Sequence, residues 1–252
     1  MSIAVIIPTF NRANFIAKAI ASVQRQECEL PIQIIVIDDG STDDTKKILQ
    51  EISKVDRRVS IFTQQNQGVS SARNTGIKAI SNDTKYITFL DSDDVMIKDR
   101  LHNQIPILEM NSQIEYVIGK ISIVNHLDIE ELEPKVVYQD ATVMTHSTSG
   151  AIFRRSVFEK IGLFNENLKA AEDLDLFLRL AEARVPFEEI DQACIYYIKH
   201  QSHHITEDKP CVAKSSAKAI ALSIVRRRNS PRKLLMPNFN TESLKKLMLG
   251  ER

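Results

Sequence analysis

Long apolar runs are missing from this 252-residue chain. The first, Ile3–Ile7, is five residues long and stops at Pro8. That is too short for a signal-peptide core or a membrane span, and no later run approaches the roughly 18 residues a span needs. Net charge is missing too. Lys plus Arg is 33 and Asp plus Glu is 33, which argues against a dedicated nucleic-acid binder. Cysteine is scarce: Cys28, Cys194 and Cys211 are scattered and odd in number. No disulfide framework is expected, and a reducing, cytoplasmic compartment is. Three signatures are absent as well. No G-x-G-x-x-G follows the first apolar run, which disfavours a Rossmann dinucleotide site, and there is neither a G-x-x-x-x-G-K-[ST] P-loop nor a G-x-S-x-G nucleophile elbow.

What remains is ordinary for a globular protein: 43% hydrophobic and 26% charged residues. The neutral total hides an asymmetry. Residues 209–252 hold eleven Lys and Arg against two Asp and Glu, while 1–208 hold 22 against 31. An acidic body, 1–208, is therefore followed by a basic tail, 209–252. The body divides further into 1–94 and 95–208, because the pattern changes there.

Before Asp94 two periods alternate. Ile3–Ile7 is a continuous β-branched run, the mark of a strand buried on both faces. From Arg12 to Gln26, Phe15, Ile16, Ala19, Ile20 and Val23 recur at helical spacing. Strands are expected at Gln33–Ile37, Val59–Phe62 and Tyr86–Leu90. Helices are expected after Ser41 or Thr42 as cap and over about Val69–Ile80. The order βαβαβαβ predicts a mainly parallel, Rossmann-like α/β sheet covered on both sides. After Asp94 the reading is mixed: strands at Tyr116–Val124, Val136–Tyr138, Ala151–Arg154, Phe187–Ile190 and Cys194–Lys199, and an amphipathic helix over Asp173–Ala183.

Ligands of open α/β sheets bind outside the carboxyl ends of the strands. Polar clusters stand at each of those ends: Pro8-Thr9-Phe10-Asn11-Arg12, Asp38-Asp39-Gly40-Ser41-Thr42, Asn66-Gln67-Gly68 and Asp91-Ser92-Asp93-Asp94. One such cluster is an ordinary capped turn; four on one edge point to a site. The last holds carboxylates at i and i+2, which suit a hard divalent cation that takes one or two carboxylates plus substrate phosphates. Arg73, one turn into its helix, suits a phosphate or base edge, or is simply a surface arginine. Asp173, in the first turn of its helix, reads on sequence physics as an N-terminal residue stabilised as the anion. His200 and His204 are spaced i, i+4, but no HExxH and no cysteine pair accompanies them, so zinc is not expected.

The segments VIIPTFNR (5–12), VIDDGSTDDT (36–45), NQGVSSARNTGI (66–77), FLDSDD (89–94), GAIFRRSVFEKIGLFNE (150–166) and AEDLDLFLRL (171–180) together resemble family 2 glycosyltransferases of the GT-A fold. These are inverting enzymes that use nucleotide sugars. The departures are Phe10, where Tyr is common, and the tail after about 210. The resemblance implies that Pro8, Thr9, Phe10 and Arg12 line the nucleotide pocket. It implies that Asp39 holds the base, uracil, with Arg73 nearby, that Asp91 lies nearer the ribose, and that Ser92 contacts the nucleotide sugar. Asp93, with Asp91, would hold Mn2+ or Mg2+, with His200 as a further metal or phosphate contact. Asp173 would be the catalytic base.

The activity so implied is transfer of a sugar from a UDP-sugar to a hydroxyl of a glycan or lipid-linked glycan, in surface glycan or polysaccharide synthesis. A non-catalytic nucleotide-sugar-binding module and another metal-dependent phosphoryl or nucleotidyl transferase are the alternatives. Finally, Val212, Ala213, Ala217, Ile220, Ala221, Ile224 and Val225 fall near helical spacing and run into Arg226-Arg227-Arg228. Such a basic amphipathic end either packs on the acidic body or lies peripherally on an anionic membrane, at the inner face of the plasma membrane.

Overall fold

The computed structural model describes residues 1–124, 132, 147–199 and 208–230. Eight strands form one sheet among the described residues. The first half follows the expected alternation: β1 (Ser2–Thr9), α1 (Ile16–Gln24), β2 (Ile32–Asp38), α2 (Thr45–Val55), β3 (Val59–Thr63), α3 (Val69–Ala79) and β4 (Thr84–Phe89). Here β1 pairs in parallel with both β2 and β4, and β2 with β3.

The burial of β1 explains its composition. All eight of its residues are buried. Ile3, Val5 and Ile7 pack on one face with Ile16, Ala19, Ile20 and Val23 of α1. Ala4 and Ile6 pack on the other with Ala72 and Ile77 of α3. Each fully buried Ile or Val contributes about 1.5–3 kcal/mol, so an alternating polar residue anywhere in the run would be costly. Gly76 brings α3 against the sheet, since a methyl group there would collide with Ile6.

The second half is β5 (Val95–Met96), α4 (Arg100–Met110), β6 (Tyr116–Val124), a 3-10 turn (Thr148–Gly150), β7 (Ala151–Arg154), α5 (Arg155–Ile161), α6 (Glu172–Glu182), β8 (Phe187–Ile198) and α7 (Lys209–Asn229). The sheet order is β3-β2-β1-β4-β7-β6-β8-β5. β7 is antiparallel to both β4 and β6, and β8 is parallel to β6. The mixed half is thus an extension of the same sheet.

Several sequence expectations need correction. The two late strands are one, β8, because it pairs with β6 from Phe187 to Ile198 through a register shift beside Gly119. A side chain on Gly119 would collide with Cys194. Two helices were not expected. In α4, Leu101, Ile105 and Leu108 keep helical spacing and are buried, but Pro106 sits inside and masks the pattern. α5 is only seven residues long. Ser41 and Thr42 precede α2 rather than cap it: Asp44 is at the N-cap position, and the Asp43 carboxylate accepts from Thr45 N at 3.0 Å. The Val136–Tyr138 expectation and His200 lie outside the described residues.

The start of the basic tail is α7, packed on α6. Ala219 joins Leu168, Leu174 and Leu178 in a small core. Arg226 reaches Asp175 at 3.2 Å and Glu182 at 2.7 Å, carboxylates whose side chains are only 1% and 6% exposed. The expected apolar face splits. Val212 is buried and Ile220 half-buried, whereas Ala213, Ala217, Ala221, Ile224 and Val225 face outward; Ser215, Ser216 and Ser223 face in with Ala219.

Candidate active site

Three strand ends meet at one cleft. Its volume is about 560 Å³, and its walls include Pro8 and Thr9 at the end of β1, Phe10, Asn11 and Arg12 after it, Asp39 after β2, and Asp91, Ser92 and Asp93 after β4. Asn66, Gly68, Val69, Ala72 and Arg73 come from the start of α3, Glu172 from α6 and Tyr197 from β8. The parallel order explains the convergence: β2, β1 and β4 are neighbours running in one direction, so their exit loops share an edge.

Backbone and side-chain bonds lock these loops together. Asp39 N donates to Thr9 O at 2.9 Å. Asn11 N donates to Ser41 Oγ at 2.9 Å, Thr42 N to Asn11 Oδ1 at 2.8 Å and Arg12 N to Thr45 Oγ1 at 2.9 Å. Asn11 holds a left-handed φ of 52°, a conformation Asn tolerates. Asp39 is 4% exposed and accepts from Gly68 N (2.8 Å), Gln67 N (2.9 Å) and Gln64 Nε2 (2.7 Å). A carboxylate offers about four lone-pair sites, so Asp39 fixes the 64–68 loop and keeps about one site for a ligand. Thr9 Oγ1 is buried with no hydrogen-bond partner among the described residues. Phe10 is exposed at 41%, an open ring face on the cleft wall.

Arg73 is no surface arginine. It is 2% exposed and donates to Asp91 Oδ1 (2.8 Å), Glu172 Oε1 (2.8 Å) and Asp173 Oδ1 (3.2 Å). Its guanidinium also lies over Phe89 and Phe164, 5.9 and 5.4 Å from the ring centroids. Burial opposes its charge, but Asp173, Asp91 and Glu172 outweigh that and hold it well above the usual arginine range. It therefore joins the acidic groups of both halves, in the same cleft as Asp39. Burial pushes the Glu172 carboxyl up; Asp173 and Asp91 add to this against the pull of Arg73.

Asp173 lies beside Glu172 at the start of α6. The chain enters that helix through Ala171, whose φ of 58° is left-handed and costs about 1–3 kcal/mol. The Asp173 oxygens accept from Thr148 Oγ1 (2.8 Å), Thr148 N (3.0 Å) and Arg73, so its side chain is held from across the sheet. Glu172, not Asp173, is on the cleft wall itself. Asp93 accepts from Arg12 Nε at 3.1 Å. Sequence reasoning missed Tyr197, Thr148 and the wall role of Glu172. The acidic pair was visible, but nothing local in the sequence ties Thr148 to it.

Among the described residues, no three His, Cys, Asp or Glu converge to hold a metal alone. Asp91 and Asp93 nevertheless fit a hard divalent cation: both are oxygen donors on the cleft wall, and Mg2+-type sites take one or two carboxylates and complete their shell with phosphates and water.

With this geometry in place, comparison with known proteins identifies the family. The family model described as "Glycosyl transferase family 2" matches residues 4–162. The chain belongs to glycosyl transferase family 2. An uncharacterized glycosyltransferase of Rickettsia felis is 35% identical over 196 residues, covering 71% of this chain and 30% of that protein. A Campylobacter jejuni protein named GalNAc(5)-diNAcBac-PP-undecaprenol beta-1,3-glucosyltransferase is 34% identical over 172 residues, covering 65% of this chain and 53% of that one. The chain spans less than a third of the Rickettsia relative and about half of the Campylobacter one. Among solved structures, S. aureus TarS 1-349 in complex with UDP-GlcNAc superimposes with a TM-score of 0.72 at 21% identity, over 98% of this chain and 70% of that one. The fold of this family 2 member is thus the GT-A arrangement, a mainly parallel sheet flanked by helices.

Proposed function

We propose that the chain is an inverting glycosyltransferase that moves a sugar from a UDP-sugar to an acceptor hydroxyl of a surface glycan or its lipid-linked precursor. The observation that carries this is one cleft joining the exit loops of β1, β2 and β4 to Glu172 at the start of α6, with Asp173 the next residue along. Pro8, Thr9, Phe10, Arg12 and Asp39 receive the nucleotide; Asp91 and Ser92 lie toward the ribose and diphosphate. Asp93 and Asp91 would hold a divalent cation, Mn2+ or Mg2+, which would supply charge neutralisation at the diphosphate. The undecaprenol-linked acceptor in the name of the Campylobacter relative supports a lipid-linked acceptor.

The chain's own residues then act on the acceptor. Asp173 takes the hydroxyl proton as the oxygen bonds to the anomeric carbon. The bond from that carbon to the diphosphate oxygen breaks, and its electron pair leaves on the nucleoside diphosphate. Entry and departure on opposite faces invert the anomeric centre. Arg73 links the two events, since it touches Asp91 on the donor side and Asp173 on the acceptor side.

Incubation with a panel of nucleotide sugars and Mn2+ tests this. Nucleoside diphosphate should be released from a UDP-sugar, and EDTA should abolish the release. Binding without turnover of any donor would instead mark a nucleotide-sugar-binding module.

The tail carries a separate proposal: peripheral, salt-sensitive contact with an anionic membrane through residues 211–246. No described helix is long and apolar enough to cross a membrane. Support comes from α7, where Ala221, Ile224, Val225 and Arg228 are exposed beside Lys214. Full-length chain should co-sediment with anionic but not neutral vesicles at low salt, and truncation at 208 should end this. Equal sedimentation of both forms would make α7 purely a packing element.

A further inference from the structure

The acidic pair of α6 is supported by a part of the molecule that does not touch the cleft. Thr148 is fully buried and gives Asp173 two hydrogen bonds, one to each oxygen. It stands first in a 3-10 turn whose last carbonyl, Gly150 O, and the first of β7, Ala151 O, are held from α4. Gln104 Nε2 donates to Gly150 O at 3.1 Å, and Arg100 Nη2 donates to Ala151 O at 3.1 Å. Thr88 Oγ1, on β4, adds a second bond to Ala151 O at 2.7 Å. Arg100 is itself fully buried. Its described partners are Gln104 Oε1, Thr88 Oγ1 and the Ala151 carbonyl, none of them a carboxylate. Burial, opposed by Cys194, pulls it down to about 10.

A buried cation without a counter-ion is expensive, and a well-packed apolar residue of similar volume would often serve a fold better. Its carbonyl contacts here are specific: with Gln104 it fixes the turn that presents Thr148. The turn in turn needs both backbone and hydroxyl of Thr148 aimed one way, and Ser147 Oγ, accepting from Ser149 N, sets that geometry.

We propose that Thr148 is a positioning residue for Asp173, its hydroxyl and amide fixing the carboxylate for proton transfer, with Gln104 and Arg100 of α4 holding the turn in place. This rests on the reading of Asp173 as the base. A carboxylate gripped at both oxygens keeps one orientation relative to the reacting atoms, and small errors in such placement lower turnover more than binding. Thr148 does not line the cleft, so donor affinity should be indifferent to it.

The test uses the full chain, UDP-N-acetylglucosamine and Mn2+, with release of UDP as the readout. Thr148→Val keeps shape and amide but loses the hydroxyl. It should lower kcat about 10- to 100-fold with donor KM within about twofold of wild type. Thr148→Ser, which restores the donor, should recover most of the loss. Should the Val variant fail to fold, Gln104→Met removes one brace of the turn without touching the cleft, and it should lower kcat several-fold at unchanged KM. Equal losses in the Val and Ser variants, or full kcat in Gln104→Met, would overturn the proposal. So would wild-type turnover in Thr148→Val when Asp173→Asn is inactive. A fully active Asp173→Asn, or no UDP release from the wild type, would instead strike the base reading or the donor reading.

Discussion

The two halves of the sheet build their parts of the cleft differently. In 1–94, every wall residue lies at a strand exit or in and just before the first turn of α3; parallel pairing brings the exits to one edge, and bonds such as Asn11 to Ser41 and Gly68 to Asp39 then lock the loops. In 95–199, the acidic pair sits at a helix start rather than a strand exit, gripped by Thr148 and by Arg73 of the first half. Thr148 and Asp173 are 25 residues apart and Arg73 and Asp173 are 100 apart. On the proposed function, the first group faces the donor and the second the acceptor. Substitutions in the first half should therefore affect binding of the donor, and those in the second should affect the chemical step.

Asp93→Ala gives the largest effect expected. Turnover should vanish and metal-dependent donor binding should weaken, read by calorimetry with and without Mn2+. Asp173→Asn comes next: kcat should fall about 10²–10⁴-fold with donor affinity nearly unchanged in the same titration. Parallel losses of affinity in both variants would erase the contrast between the halves. Arg73→Met joins the comparison from the middle, because its side chain bonds both halves. Removing this cation leaves Glu172 and its neighbours as uncompensated, largely buried carboxylates. Unfolding free energy should drop by about 3–5 kcal/mol, measured by denaturant titration. A drop below about 1 kcal/mol would show that the acidic groups tolerate separation.

Much of the first half was legible. The continuous runs of β1 and β2, the helical spacing of α1 and the polar clusters at the strand ends gave the parallel sheet and its ligand edge, because buried strands and amphipathic helices each impose a local period. The second half was less legible. α4 hid behind Pro106, and Phe187–Ile198 looked like two strands because its first part is exposed and breaks the apolar run. Arg73 read equally as ligand contact or surface residue, since burial is no property of a side chain alone.

By itself, then, the sequence determined the alternation of elements, the edge at which polar loops collect and the identity of the acidic groups there, all consequences of short-range periodicity and strand polarity. Only the tertiary structure decided their partners. Asp39 holds the 64–68 loop, and Arg73 is shared by Asp91, Glu172 and Asp173. Asp173 is gripped by Thr148, and Arg226 closes α7 onto Asp175 and Glu182. A hydrogen bond needs its donor and acceptor within about 3 Å, and that proximity is set by how the sheet folds residues remote in sequence onto one another.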